Sequence, residues 1–454
     1  MIDWYLVMFV AATILLVYIE KLGEHKIVFQ YMAHSGEIGL SGGTYAVLIQ
    51  FMSGATLFLP IYVTVQMKLY SVFMFVLGVL AIYILLARVI SNIKVTEEGP
   101  FSVLFKKRAN VGDKRYFFII AALSSFLSFL LHTFLVATLF FNIYEQSLTI
   151  GLSLFLFFCF TFFGLGGYFG VTKIGSKLVF GIFLSSVILS LSLFLKVGIN
   201  SVYKQFTEIF PSLMDGSILE NGLIVVTFVF VMFGQTCMNY YFWQSLHLIK
   251  VNHRLTVLRV SLFSWVALLL AYSALSIYIL VQGTSSASLS RVLKTVVELE
   301  SPFFPFVISL IWFSSLLVGA GTSLYSLVSL YLWMQNNNKK VLTTKQLLRK
   351  GYLVAMTVCL VTGFLSVYIL SYTKEVLMVL AAFFSSIGFP FWFQSIFKKF
   401  NSKHYFFGVS LVFPISIIGV VLGFELWLIT AVAVLFPCII YLFLQNVCKL
   451  SENG

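Results

Sequence analysis

Charge is scarce in this chain, and negative charge is scarcest. Only 10% of the 454 residues are charged, with 16 Asp or Glu against 29 Lys or Arg. Asp3, Glu20, Glu145, Glu375 and Glu425 stand at the ends of apolar runs or in loops, so no buried carboxylate is at hand to pair with a cationic solute. No His/Asp/Glu cluster, zincin motif or nucleophile elbow lies within an apolar run, which argues against an enzyme and against a bound cofactor. The five cysteines, Cys159, Cys237, Cys359, Cys438 and Cys448, show neither metal-ligand spacing nor a disulfide framework. Strand-type alternation is missing, which excludes a β-barrel. The longest polar connection is about 27 residues, too short for a soluble domain. Ahead of the first apolar run stands Asp3 and no basic residue, so that run reads as a retained helix and not a cleaved signal peptide.

What is abundant is apolar surface. The chain is 60% hydrophobic with a mean hydropathy of +1.01. Runs near 20 residues recur, as a polytopic membrane protein requires. In lipid every backbone polar group needs an internal partner, so these runs are helices. Thirteen are expected: about 4–19, 45–65, 69–88, 116–142, 148–168, 174–198, 222–246, 258–282, 302–333, 352–372, 376–397, 405–423 and 426–447. The 50 phenylalanines read as mostly lipid-facing. The loops 89–115 and 334–351 read as solvated basic connectors, and 283–300 as an external loop holding a short amphipathic helix.

The basic residues set an orientation. With the N-terminus outside, 23 lysines and arginines fall on the cytoplasmic side, against Lys68, Lys196, Lys204, Arg291, Lys294 and Lys374 outside. Such asymmetry is the positive-inside signal, and it leaves the C-terminus in the cytoplasm. The formal net charge of +13 therefore speaks of topology and contact with the lipid bilayer, not of nucleic acid. The expected location is the plasma or inner cell membrane, and no obligate protein partner is evident.

Polar residues inside the runs mark a site. Span two reads Leu48-Ile49-Gln50-Phe51-Met52-Ser53-Gly54-Ala55-Thr56 with Pro60 following, and span seven Phe233-Gly234-Gln235-Thr236-Cys237-Met238-Asn239. Helices interrupted at matching places in two halves point to a transporter site, although glycine-mediated packing gives the same pattern. Span nine carries Gly319-Ala320-Gly321-Thr322-Ser323. Positions i, i+3 and i+4 share a helix face, so the Gly319 carbonyl and two hydroxyls can converge. They suit a small hard cation; equally, each hydroxyl can bond back to the preceding turn. Gln235 and Asn239, four apart, can present two amides from one half-helix or bond between helices. His132 in span four reads as a packing residue.

Four stretches together resemble the sodium:solute symporter family: Met52 to Thr56 with Pro60, Gly166-Gly167-Tyr168-Phe169-Gly170-Val171, Gln244-Ser245-Leu246 with Lys250, and Gly319 to Ser323. The resemblance implies a leucine-transporter-type fold, all-α, with an inverted repeat of five helices and two broken helices. Residues 1–44 would form the extra N-terminal helix and a cytoplasmic loop, 45–198 the first repeat, 222–397 the second, and 405–454 two C-terminal helices and a tail. It implies a symporter that moves a small solute with Na+ as coupling ion. Na+ would be held by the carbonyls of Ile49, Met52 and Gly319 and the hydroxyls of Thr322 and Ser323. Phe51, Ser53, Gly54, Thr56, Gln235 and Asn239 would line the solute site. Two positions depart from the family: Gly175 stands where it usually has an acidic residue, and Ser245 where it has arginine. Relatives in the wider superfamily replace Na+ by a lysine and couple to H+, and Lys177 is the candidate here. A solute sensor that does not transport is a further alternative. The apolar Phe51, Phe73, Met74 and Phe75 speak against a sugar, leaving a neutral, zwitterionic or carboxylate-bearing solute.

Overall fold

The computed structural model describes residues 25, 27–33, 37–52, 70–92, 111–144, 148–211, 218–283, 303–337, 343–388 and 402–452. The expected first span, 4–19, lies outside them, as do Ser53, Gly54, Thr56 and Pro60 and the helix expected within 283–300. The described helices are α1 (Val28–Met32), α2 (Leu40–Phe51), α3 (Tyr70–Asn92), α4 (Val111–Tyr144), α5 (Leu148–Phe158), α6 (Gly167–Val197) and α7 (Ile199–Ile209). They continue with α8 (Ile218–Met238), α9 (Tyr240–Leu248), α10 (Arg254–Gly283), α11 (Phe303–Asn337), α12 (Thr344–Tyr368), α13 (Thr373–Ile387), α14 (Ser402–Val421) and α15 (Leu426–Glu452). Among the described residues there is no strand, only one parallel bridge between Ile38 and Ile249. Eight described helices are long and apolar enough to cross a membrane, or nine if the bent pair α8–α9 is one span. The chain is a multi-pass membrane protein.

Two sets of neighbours emerge. Helices α2, α3, α8, α9 and α10 pack on one another, and α4, α5, α11 and α12 form a second group. Helix α2 also touches α6 and α11, and α4 also touches α8 and α13, so the groups meet along α2, α4, α8 and α11. Large rings fill the joins, including Trp265, Trp312, Tyr168, Tyr325, Phe51, Phe129 and Phe134, all fully buried. The expectation of lipid-facing phenylalanine fails here. More of the described phenylalanines are buried than exposed, because wide rings fill gaps between helices better than aliphatic chains.

Hydroxyls are tolerated in these helices because they return to the backbone one turn earlier. Ser125 donates to Ala121 O at 2.9 Å, Thr133 to Phe129 O at 2.9 Å and Ser276 to Tyr272 O at 2.7 Å.

Several boundaries differ from expectation. Helix α5 passes into a π-helical turn, Cys159–Gly164, and Gly167 at φ 57 starts α6 seven residues before the expected 174. The 334–351 connector is largely helical: α11 runs to Asn337, and α12 opens on a capping box of Thr343 with Gln346. Unforeseen is α7, an amphipathic helix that buries Val202 and Phe206 and exposes Ile199 and Lys204.

Candidate functional site

Helix α11 carries Gly319 to Ser323 at its middle, where Thr322 and Ser323 are 2% and 1% exposed. Both hydroxyls turn inward. Thr322 Oγ1 donates to Gly319 O at 2.9 Å. Ser323 Oγ lies 3.1 Å from the same carbonyl and 2.9 Å from Ser128 Oγ on α4. The back-bonding alternative thus describes the resting hydrogen bonds. It leaves each hydroxyl oxygen its lone pairs, which are what a cation would use. The Gly319 carbonyl is the more heavily engaged of the three groups.

Helix α2, which packs against α11, ends at Phe51. Met52 N donates to Leu48 O at 3.0 Å, and the helix goes no further than Phe51. The carbonyls beyond Leu48 belong to the last turn, which a helix leaves without internal donors. Ile49 and Met52 are completely buried. On one side α2 meets α6 so closely that a side chain at Gly175 would lie 2.9 Å from Ile49 Cδ1. The departure from acid to glycine at 175 therefore lets these two helices approach. Phe51, also fully buried, packs against Trp265 and Phe242 with ring centroids 5.7 and 6.4 Å away. Gln50 is 5% exposed and its Oε1 has no hydrogen-bond partner among the described residues.

The second interruption falls at Asn239. Helices α8 and α9 meet there at a bend of 66°. Asn239 caps α9 through Oδ1, which accepts from Tyr241 N at 2.9 Å and from the Ser326 hydroxyl at 2.7 Å. Ser326 Oγ also accepts from Tyr241 N at 3.0 Å and sits 2.6 Å from Thr322 O. Gln235 Nε2, still on α8, donates to Ser128 Oγ at 2.8 Å. The expected pair of amides on one half-helix is therefore corrected: the break separates them, and each bonds a different helix. Just before the break, α8 and α13 touch backbone to backbone. A Cβ on Gly234 would fall 1.9 Å from Phe384 O.

Ser128, with both Gln235 and Ser323, and Ser326, with Asn239, are the two residues the sequence reading missed. A signal existed in the serine run 124, 125 and 128 and in the continuation of the 319–323 face to 326. His132 is less satisfied than a packing residue would be. One nitrogen, Nδ1, lies 2.6 Å from Ser128 O, while Nε2 has no hydrogen-bond partner among the described residues. Lys177 is exposed, and it lies about 200° around α6 from Gly175, off the face that meets α2. Among the described residues no buried side chain is a carboxylate, and no group of three His, Cys, Asp or Glu could hold a metal. The oxygens that converge at Gly319, Thr322 and Ser323 are all neutral.

No protein-family model matches the chain, and no curated protein sequence does. Solved structures do. A Na+-coupled sialic acid symporter, in a substrate-bound outward-open state, superposes with a TM-score of 0.76 at 14% identity, over 98% of this chain and 97% of that one. MhsT in complex with L-phenylalanine gives 0.52 at 13% identity, over 86% of this chain and 99% of that one. The chain has the leucine-transporter-type fold of Na+-coupled symporters.

Proposed function

We propose that this protein is a Na+-coupled secondary transporter of a small neutral, zwitterionic or carboxylate-bearing solute, working by alternating access. The observation that carries the reading is the inward convergence of Thr322, Ser323 and Gly319 on α11, a helix that packs against α2. Five neutral oxygens, the carbonyls of Ile49, Met52 and Gly319 and the two hydroxyls, would hold Na+ there. Binding would turn part of the hydroxyl bonding away from Gly319 O. Phe51, Ser53, Gly54, Thr56, Gln235 and Asn239 would line the solute site between the two broken helices. The N-terminus of α9, capped by Asn239, carries the positive end of the helix dipole, which favours a negative or dipolar solute group nearby. In this reading 45–198 and 222–397 are inverted repeats, the N-terminus is outside and the C-terminus cytoplasmic. Transport would then be a rocking of the α2, α3, α8–α9 and α10 group against α4, α5, α11 and α12.

The driving force is adequate. One charge crossing 100 mV gives about 2.3 kcal/mol and a tenfold Na+ gradient about 1.4 kcal/mol, enough for roughly several-hundred-fold accumulation of a neutral solute. Proton coupling through Lys177 is less favoured, because that residue does not share the face of α6 that meets α2.

Uptake into proteoliposomes tests the function. Radiolabelled amino acids, carboxylates and nucleobases are offered with an inward Na+ gradient, with a proton gradient and with neither. Accumulation above equilibrium under the Na+ gradient alone is expected. Binding without accumulation under any gradient would instead identify a sensor, and proton-driven uptake abolished by Lys177→Ala would identify the other coupling.

A further inference from the structure

We propose that Ser128 on α4 couples the Na+ site to the break in α8–α9, by offering the Ser323 hydroxyl proton a second acceptor beside Gly319 O. The inference rests on the Na+ reading and specifies how occupancy at α11 reaches the solute side.

Ser128 is 3% exposed and stands at a three-helix junction. Its Oγ lies 2.8 Å from Gln235 Nε2 on α8 and 2.9 Å from Ser323 Oγ on α11. The amide nitrogen only donates, so Ser128 accepts from Gln235. The second contact is ambiguous in a useful way. Ser323 has one proton and two acceptors within reach, Gly319 O at 3.1 Å and Ser128 Oγ at 2.9 Å. Two proton orders are therefore available in the same atomic positions.

In the first order Ser323 donates to Gly319 O, and Ser128 accepts from Gln235 alone. Much of the Gly319 carbonyl is then occupied. In the second, Ser323 donates to Ser128. Gly319 O loses a donor, and the Ser323 proton points away from it. A cation at these oxygens repels protons pointing at it and takes lone pairs, so Na+ selects the second order. Ser128 then accepts from both Gln235 and Ser323. Its hydrogen bond with Gln235, three residues before the bend at Met238 to Tyr240, thus depends on whether the ion is present. By linkage, whatever engages Gln235 also alters Na+ affinity. Ser128 acts through Ser323 and is a positioning residue, not an ion ligand.

The test uses purified full-length protein and Na+ as the probe. Thermal midpoints are followed as NaCl replaces choline chloride at constant ionic strength. Ser128→Ala removes the alternative acceptor, confines the Ser323 proton to Gly319 O, and should raise the half-saturating Na+ concentration about tenfold. Ser128→Thr keeps the hydroxyl and should restore wild-type response, which a loss of packing would not explain. Gln235→Leu should raise the Na+ requirement severalfold although Gln235 is no ligand, and Ser128→Ala with Gln235→Leu should be no worse than Ser128→Ala, since one relay is broken once. If Ser128→Ala does not fold, Gln235→Leu carries the test alone. An unchanged Na+ midpoint in these variants, with the response lost in Thr322→Ala, overturns the relay and leaves the Na+ site standing. No Na+ response in the wild type overturns the site itself.

Discussion

A hydroxyl buried in an apolar helix has one proton to place, and where it goes decides what its oxygen can still do. Thr322 gives its proton to Gly319 O at 2.9 Å and retains its lone pairs. Thr322→Val keeps shape and removes those lone pairs. Its Na+ requirement in a thermal-shift titration should rise tenfold or more, about the loss of one ligand-strength contact, with little change of midpoint in choline. Gly234 shows the steric counterpart. With Phe384 O only 1.9 Å from where a Cβ would sit, Gly234→Ala must push α8 and α13 apart. Its thermal midpoint should fall well below wild type in both salts, a packing loss of about 1–3 kcal/mol. At this scale the sequence was partly legible. Thr322, Ser323, Gln235 and Asn239 stood out as polar residues in apolar runs. Ser128 did not, because a serine that merely bonds back to its own helix looks identical in one dimension.

Helices that stop in mid-membrane need their ends satisfied. Asn239 does this for α9, taking Tyr241 N and Ser326 on a single oxygen. Asn239→Ala should lower stability by about 1 kcal/mol or more through the lost cap and should abolish solute uptake, since the same amide holds α9 against α11. The second interruption was readable from the small and polar residues at 233–239 and falls at the expected place, whereas 53–56, where the first was expected, lie outside the described residues. The amphipathic α7 and the bridge from Ile38 to Ile249 were not readable. The latter pairs Ile38 N with Leu248 O at 2.8 Å and so ties the entry of α2 to the exit of α9, a contact between segments 210 residues apart that no local pattern encodes.

The segment ahead of α2 is held in another way. His25 lies edge-on to Tyr31, which donates to Gly164 O at 3.0 Å, and a ring nitrogen of His25 is 3.2 Å from Leu165 O. Burial lowers the His25 pKa below its ordinary 6.5, despite the backbone carbonyl that favours the charged form. The folded protein therefore binds this proton less readily than the unfolded chain. Stability is full above pH 6.5 and declines as pH falls below it toward the lowered folded value. The thermal midpoint of the wild type should drop on acidification from pH 7.5 to 5.5, and His25→Gln should drop less.

At the scale of the whole molecule, composition fixed the class and the order of motifs fixed the fold. A TM-score of 0.76 at 14% identity means that the packing plan survives where the sequence does not. Membrane helices permit this, because many apolar side chains satisfy one contact and only glycines, caps and hydroxyls are strongly positional. The solute is not legible for the same reason. Phe51, Phe242 and Trp265 pack ring against ring, and such apolar contacts carry no pattern specific to one solute.

The central claim is that Na+ binds at Thr322 and Ser323 of α11, with carbonyls from the end of α2. Equilibrium binding of radioactive sodium to the purified protein addresses it without knowledge of the solute. Saturable binding, displaced by unlabelled Na+ but not by K+, is expected in the wild type and should vanish when Thr322→Ala and Ser323→Ala are combined. Saturable binding that survives the double substitution, or none in the wild type, would contradict the account.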